Sequence, residues 1–157
     1  MLRFAEEIED VPSVVADWRA ELAVLLPEAE VEHTGGSSLP GALTRGDVDL
    51  HVRVAAQGFP RALAALEARF EAYHPAMWTA AFAAFVVPDE RRLPTGLVLT
   101  AFDGEHDRRF ARSWDVLRTR PDLLAEYNDL KRRFEGTDDE PGYRAAKSAF
   151  FDRISAA

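Results

Sequence analysis

A segment with strict alternation of polar and apolar residues constrains the fold of this chain more than any other sequence feature. It runs in the order Asp47, Val48, Asp49, Leu50, His51, Val52, Arg53, Val54. A period of two is typical of a β-strand with one buried face. The pattern therefore predicts a half-buried strand whose polar side chains lie on the face away from the core.

Other segments add helical and strand patterns, which together predict an α+β fold. Apolar spacing predicts helices over residues 12–26 and 59–70 and three more in the last third: around Phe110 to Leu117, over Leu123 to Phe134, and from a capping box near 137–141 onward. Further strands are expected over Glu30 to Thr34, Trp78 to Val87 and Gly96 to Phe102, with a charged hairpin loop at 88–92. We expect one domain, 1–157, with a sheet of four or five strands and a C-terminal helical layer.

Composition excludes several classes of protein. The 157 residues include no cysteine, so a disulfide framework and a thiolate metal site are excluded. No stretch approaches the ~20 consecutive apolar residues of a membrane span, and residues 1–10 lack the apolar centre of a secretion signal. We therefore expect a cytoplasmic protein with no membrane association.

Charge is distributed unevenly along the chain. The net charge of -8 argues against broad binding to nucleic acid, which usually needs a basic surface. Residues 1–104 contain 8 basic and 16 acidic side chains, whereas residues 105–157 contain 11 of each. The last third could thus supply cations to an anionic ligand, although a solvated, balanced helical surface fits the same counts.

A glycine-serine segment, Gly35-Gly36-Ser37-Ser38, precedes the alternating strand. In that strand Asp47 and Asp49 share one face, about 7 Å apart, and a divalent cation would relieve their repulsion. Mg²⁺ suits carboxylate oxygens and commonly takes further ligands from substrate phosphates, which the glycine-serine segment could hold through backbone N–H groups and hydroxyls. The residues alone are equally compatible with a solvent-exposed polar strand face after a glycine hairpin.

The chain has only two lysines, Lys131 and Lys147. Lys147 shares the spacing of the apolar stripe of its helix, where an unpaired ammonium would be unfavourable, and Lys131 borders the stripe of the preceding helix. We hypothesise that Lys147, together with Lys131, points at the acidic motif and contacts phosphates. Alternatively, Lys147 pairs with an aspartate structurally or extends to water.

These motifs resemble those of a known superfamily. Thr34-Gly35-Gly36, ten residues, then Asp47-Val48-Asp49-Leu50 is similar to the nucleotidyltransferase signature. Within that superfamily, EHTGGSSLPG at 32–41 resembles the EHIGSTSVPG stretch of the GrpB-like family. The resemblance extends from Trp18 to Ile154 and includes Trp114 to Leu117, Arg120-Pro121, Tyr127-Asn128, Leu130-Lys131, Tyr143, Lys147 and Phe150.

The resemblance implies a nucleotidyltransferase fold, with a mixed sheet flanked by helices. Asp47 and Asp49 would bind Mg²⁺, with Mn²⁺ as the alternative, while 35–38 would hold a nucleoside triphosphate. The metal would assist an acceptor hydroxyl, on a molecule not identified by the sequence, in attacking the α-phosphorus.

Two departures from the family pattern leave alternatives open. The recurrent acid aligns with Asp49, and Asp47 stands where many members have an apolar residue. Active superfamily members add a third carboxylate from a later strand, for which Asp103 is the nearby candidate; its other role is first residue of an Asp-Gly turn. We predict a nucleotidyltransferase, with a non-catalytic nucleotide-binding or interaction module as the alternative and a phosphate-ester hydrolase as a third option.

Overall fold

The computed structural model describes residues 1–87 and 93–156. The helices in these ranges are α1 Val11–Leu25, α2 Phe59–Glu67, α3 Glu105–Thr119, α4 Pro121–Phe134 and α5 Glu140–Ala156. The strands are β1 Arg3–Phe4, β2 Glu30–Thr34, β3 Leu43–Thr44, β4 Val48–Val54, β5 Glu71–Ala72, β6 Phe82–Val87 and β7 Thr95–Ala101. None of these helices combines the length and the apolarity that crossing a membrane requires.

The main sheet is mixed and has five strands in the order β2-β4-β7-β6-β5, which confirms the predicted α+β fold. Among the strands of the described ranges, only the β4–β7 pair is parallel. Its register places Asp49 beside Gly96, while on the other side Asp49 lies opposite Thr34 of β2. A separate antiparallel pair, β1–β3, lies near the N-terminus.

One face of the main sheet packs against α1 and α2. We call the buried apolar side chains there the sheet core: Ile8, Val11, Val14, Val15, Trp18, Leu22, Leu26, Val48, Leu50, Val52, Val54, Phe59, Ala62, Leu66, Ala83, Phe85, Leu97, Leu99 and Ala101. The apolar half of the alternating strand faces this core, as the pattern predicts.

The other face of β4 is covered by α3 around His51 and Arg53, so the prediction of a half-buried strand is wrong for this part of the strand. His51 and Thr100 are fully buried, and Asp107 of α3 is 1% exposed. The Thr100 hydroxyl donates to Asp107 (3.0 Å), and the Arg53 guanidinium donates to both Asp107 oxygens (2.6 and 2.8 Å). Hydrogen bonding within this polar layer, defined as His51, Arg53, Thr100 and Asp107, makes burial of a polar strand face tolerable.

Three C-terminal helices form a second apolar cluster, the helical core. Its buried members are Leu39, Ala42, Trp114, Leu117, Tyr127, Leu130, Phe150, Phe151 and Ile154. Leu39 and Ala42 come from the segment between β2 and β4, so this segment is anchored on the helical layer.

Two local predictions need correction, and a third falls outside the described residues. The strand expected from Trp78 begins only at Phe82, because residues 79–81 turn: the Thr79 N–H donates to the Phe82 carbonyl (3.0 Å). At α5, Asp139 accepts from the Gly142 N–H (3.0 Å), whereas Thr137, the predicted cap, donates its hydroxyl to Phe134. The hairpin loop at 88–92 lies outside the described residues.

Candidate functional site

The glycine turn, which we define as residues 35–38, follows β2 and lies against Asp49. Gly35 has a φ of 76°, in the left-handed region that favours glycine. The Ser38 N–H and hydroxyl both donate to the Gly35 carbonyl, at 3.1 and 2.7 Å. The turn is thus closed by its own backbone and serine.

The Asp49 carboxylate sits between two glycines. A Cβ added at Gly35 would lie 2.1 Å from Asp49 Oδ2, and one at Gly96 would lie 3.2 Å from Oδ1. Gly35 must therefore lack a side chain for the carboxylate to keep this place, whereas a Cβ at Gly96 would require a shift of only a few tenths of an ångström. Burial raises the pKa of Asp49, and the charges of Lys147 and Lys131 oppose that rise.

Asp47 precedes β4 and is exposed, whereas Asp49 is half-buried. The two carboxylates still interact, because the charge of Asp47 raises the pKa of Asp49. The pair thus combines one solvated and one partly enclosed carboxylate.

Lys131 reaches the glycine turn from α4. Its Nζ would lie 2.7 Å from a Cβ at Gly36, and it donates a hydrogen bond to the Leu43 carbonyl. The amine also lies 4.2 Å from the centre of the Tyr127 ring. Lys131 is 8% exposed, and burial, followed by the charge of Lys147, lowers its pKa to about 8.

Lys147 approaches the same region from α5. It is half-buried, with its Nζ 5.9 Å from the centre of the Tyr143 ring. Its charge lowers the pKa values of Asp49 and Lys131, which shows that these groups form one electrostatic cluster. The sequence hypothesis put Lys147 first; the structure instead places Lys131 directly against the glycine turn.

Asn128 is a site residue to which the sequence assigned no role. Its side-chain amide donates to the Gly41 carbonyl, and its Oδ1 accepts from the Leu43 N–H, both at 2.8 Å. Asn128 lies three residues before Lys131, on the same side of α4, and both side chains bind the segment that follows the glycine turn. The signal available in the sequence was that two polar residues, Asn128 and Lys131, lie three positions apart on one side of a predicted helix.

Asp103 is not brought to the aspartate pair. Because β4 and β7 are parallel, Asp49 lies beside Gly96 at one end of the sheet, while Asp103 follows β7 at the other. Gly96 and Ala101 alone are about 16 Å apart along the strand. Asp103 has a φ of 62° and occupies the turn into α3, the other role considered for it.

The residues present suit a metal ion that takes some of its ligands from the protein and the others from a bound molecule. Among residues 1–87 and 93–156, no group of three His, Cys, Asp or Glu side chains could hold a metal ion. The two carboxylates provide hard oxygen ligands, one of them seated against Cβ-free backbone. This set fits Mg²⁺ coordinated by one or two carboxylates and by substrate phosphates.

Comparison with known sequences identifies related proteins. The family described as "GrpB protein" matches residues 3–157. A UPF0157 protein from Vibrio cholerae is 31% identical over 138 residues, which cover 87% of this chain and 71% of that protein.

Comparison with solved structures gives the same fold. The crystal structure of the conserved protein GrpB from Enterococcus faecalis has a TM-score of 0.69 and 18% identity, covering 99% of this chain and 95% of that one. The Cid1 poly(U) polymerase bound to MgATP has a TM-score of 0.51 and 17% identity, covering 80% of this chain but 40% of Cid1. The fold is therefore nucleotidyltransferase-like.

Proposed function

Because this chain belongs to the GrpB family and has a nucleotidyltransferase-like fold, we propose that it binds a Mg²⁺–nucleoside triphosphate at the glycine turn and transfers the nucleotidyl group to an acceptor hydroxyl. One observation carries the proposal: the Asp49 carboxylate and the Lys131 amine both lie against the glycine turn. The net charge of -8 favours a small acceptor over a long nucleic acid.

Each group in the site has a proposed task. Lys131 and Lys147 hold phosphate oxygens, and Gly35 and Gly36 let those oxygens approach the backbone without a Cβ in the way. Asp49 and Asp47 would hold Mg²⁺, which when bound neutralises phosphate charge and assists attack on the α-phosphorus. Asn128 keeps the segment after the turn in place.

A second candidate is a nucleotide-binding module without turnover. The observation in its favour is that Gly96 stands beside Asp49 on β7, at a position from which a third carboxylate would face the pair. β6 and β7 contain no acidic residue at all. The two candidates share the binding site and differ only in chemistry.

Binding is tested by thermal unfolding with ATP, GTP, CTP or UTP, each with and without Mg²⁺ or Mn²⁺. Ligand at 100 times its Kd stabilises the folded state by about 2.7 kcal/mol, so a bound nucleotide raises Tm. We expect Lys131→Met and Lys147→Met to lose this increase. Arg132→Met, an exposed change on α4, is the matched control and should retain it. A flat response of the unaltered protein across the panel overturns the proposal.

Turnover is tested by pyrophosphate release from the nucleotide that binds. We expect release to depend on Mg²⁺ and to disappear in Asp49→Asn, while Asp103→Asn, at the other end of the sheet, releases pyrophosphate normally. Saturable, metal-dependent binding without pyrophosphate would instead select the binding module.

A further inference from the structure

A cavity of about 360 Å³ lies along the free edge of β2, between α1 and α3. None of the described residues that line it is Asp47, Asp49, Lys131 or Lys147, so it is separate from the site above. Its volume falls within the usual range for small-molecule pockets.

Charged side chains dominate the wall of this cavity, with three arginines against the two carboxylates of Glu32 and Asp115. Arg19 of α1, Arg53 of β4 and Arg118 of α3 all line it. The Arg53 guanidinium is bound by Asp107. Arg19 donates a hydrogen bond of 2.7 Å to the Val31 carbonyl at the free strand edge, and Arg118 forms an ion pair with the largely exposed Asp115. The Arg19 and Arg118 guanidiniums can therefore reorient toward a ligand at a small cost in free energy.

The strand edge itself supplies more donors. The Val31 carbonyl points away from β4, toward Arg19. Because outward-facing residues alternate in an antiparallel ladder, the backbone N–H and C=O groups of Val31 and His33 both face the free edge of β2. Burial, followed by the charges of Arg19 and Arg118, lowers the pKa of His33 to about 4, so the His33 ring is neutral at pH 7.

Trp114 adds a large aromatic residue to the wall of this cavity. The residue lines the cavity and is 8% exposed, and within the described part of the chain its Nε1 has no hydrogen-bond acceptor. The Nε1 atom itself is closed to solvent, so Trp114 forms part of the cavity wall without presenting its N–H to the interior.

We propose that this cavity is a second ligand site, which binds a small organic oxyanion, either a carboxylate or a phosphate monoester. Arg19 and Arg118 contact the anion, and Trp114 lies beside it in the cavity wall. The site lies next to the glycine turn, because His33 Nε2 is 2.9 Å from the Ser37 hydroxyl. The proposal does not depend on nucleotide binding.

The test follows the indole N–H signals of ¹⁵N-labelled protein by NMR, with Trp114→Phe identifying the Trp114 signal. Phenyl phosphate, benzoate and inorganic phosphate are titrated separately. We expect a saturable shift of the Trp114 signal with at least one organic anion. Benzoate alone would identify a carboxylate ligand, and phenyl phosphate alone a phosphate monoester. No shift with any of the three overturns the proposal.

Variants locate the binding. Arg19→Gln and Arg118→Gln should each raise the Kd of the active probe at least tenfold, while exposed Arg132→Gln leaves it unchanged. An unchanged Kd in both cavity variants also overturns the proposal; if one variant fails to fold by circular dichroism, the other decides. Lys131→Met should keep probe binding while losing the nucleotide-dependent Tm increase, so the two proposals fail separately.

Discussion

The sheet core and the helical core bury different kinds of side chain. The sheet core is mainly aliphatic, with valine and leucine from β4 and β7 meeting α1 and α2. In the helical core, four of nine members are aromatic, namely Trp114, Tyr127, Phe150 and Phe151, with neighbouring ring centres 5.3 to 6.5 Å apart. Branched aliphatic side chains suit a pleated sheet, whereas large rings fill the wider spaces between helices.

The polar and charged groups of interest lie where these two regions meet. Asp49 comes from the sheet and Lys131 from the helical layer, so docking of the layer onto the sheet assembles the candidate site. The polar layer occupies the same junction farther along β4. The comparison indicates that the two cores bury the apolar surface, whereas the junction gathers the polar and charged groups, including those of the candidate site.

The largest effect is expected from cavities in the cores. Leu50→Ala in the sheet core should lower the free energy of unfolding by about 4 kcal/mol, and Leu117→Ala in the helical core by about 3 kcal/mol. Leu50 is fully buried in a central strand, where relaxation is harder than between helices. Urea unfolding measures both, and a larger loss for Leu117→Ala would reverse the proposed ranking of the cores.

The second-largest effect is expected when the buried Asp107 carboxylate of the polar layer loses its charge. Asp107→Asn should lower the free energy of unfolding by about 3 kcal/mol, because Arg53 loses a paired, buried carboxylate. Asp129→Asn, which removes an exposed pair with Arg132, is the control and should change it by less than about 0.5 kcal/mol. Equal effects from the two variants would show that the junction adds no stability of its own.

Acid should weaken the junction before it weakens the cores. Burial lowers the pKa of His51 to about 4 from an ordinary 6.5, so the unfolded chain takes up a proton that the folded chain excludes. The contribution of this group to stability is therefore full above pH 6.5 and is lost as the pH drops toward 4. His51→Gln should show a smaller decline, the remainder coming from His33, whose pKa is also lowered to about 4. An unchanged profile would assign the decline to other groups.

The smallest change in stability is expected at Lys131. Lys131→Met should alter the free energy of unfolding by less than about 1 kcal/mol, since a buried ammonium is replaced by an apolar chain of similar length. With a pKa of about 8, Lys131 loses its charge in mild alkali. Triphosphate affinity should thus fall above pH 8 in the unaltered protein, and Lys131→Met should lack this step. A step of the same size in the variant would exclude Lys131 as its source.

Local patterns predicted the elements but not what covers them. β2 has the predicted bounds and β4 differs by one residue, because alternation reports strand geometry directly. Alternation does not distinguish water from a polar helix as the neighbour of His51 and Arg53. That distinction depends on Asp107, a residue with no local signal on α3.

The candidate site could be predicted in part. Spacing placed Gly35, Gly36 and Asp49 together, and the structure shows Gly35 against Asp49 and Gly36 against Lys131. The distance of Asp103 from that group follows from the parallel register of β4 and β7, which no single segment encodes. The metal and nucleotide roles stay predictions.

The position of Lys131 also gives this protein a built-in chemical reporter. The chain has two lysines, so an acylating reagent can modify few amines. Lys147 is half-buried and should react readily, whereas Lys131 becomes accessible only when α4 lifts from the glycine turn. The rate at which mass spectrometry detects acylation of Lys131 would therefore time the opening of the junction in the native protein.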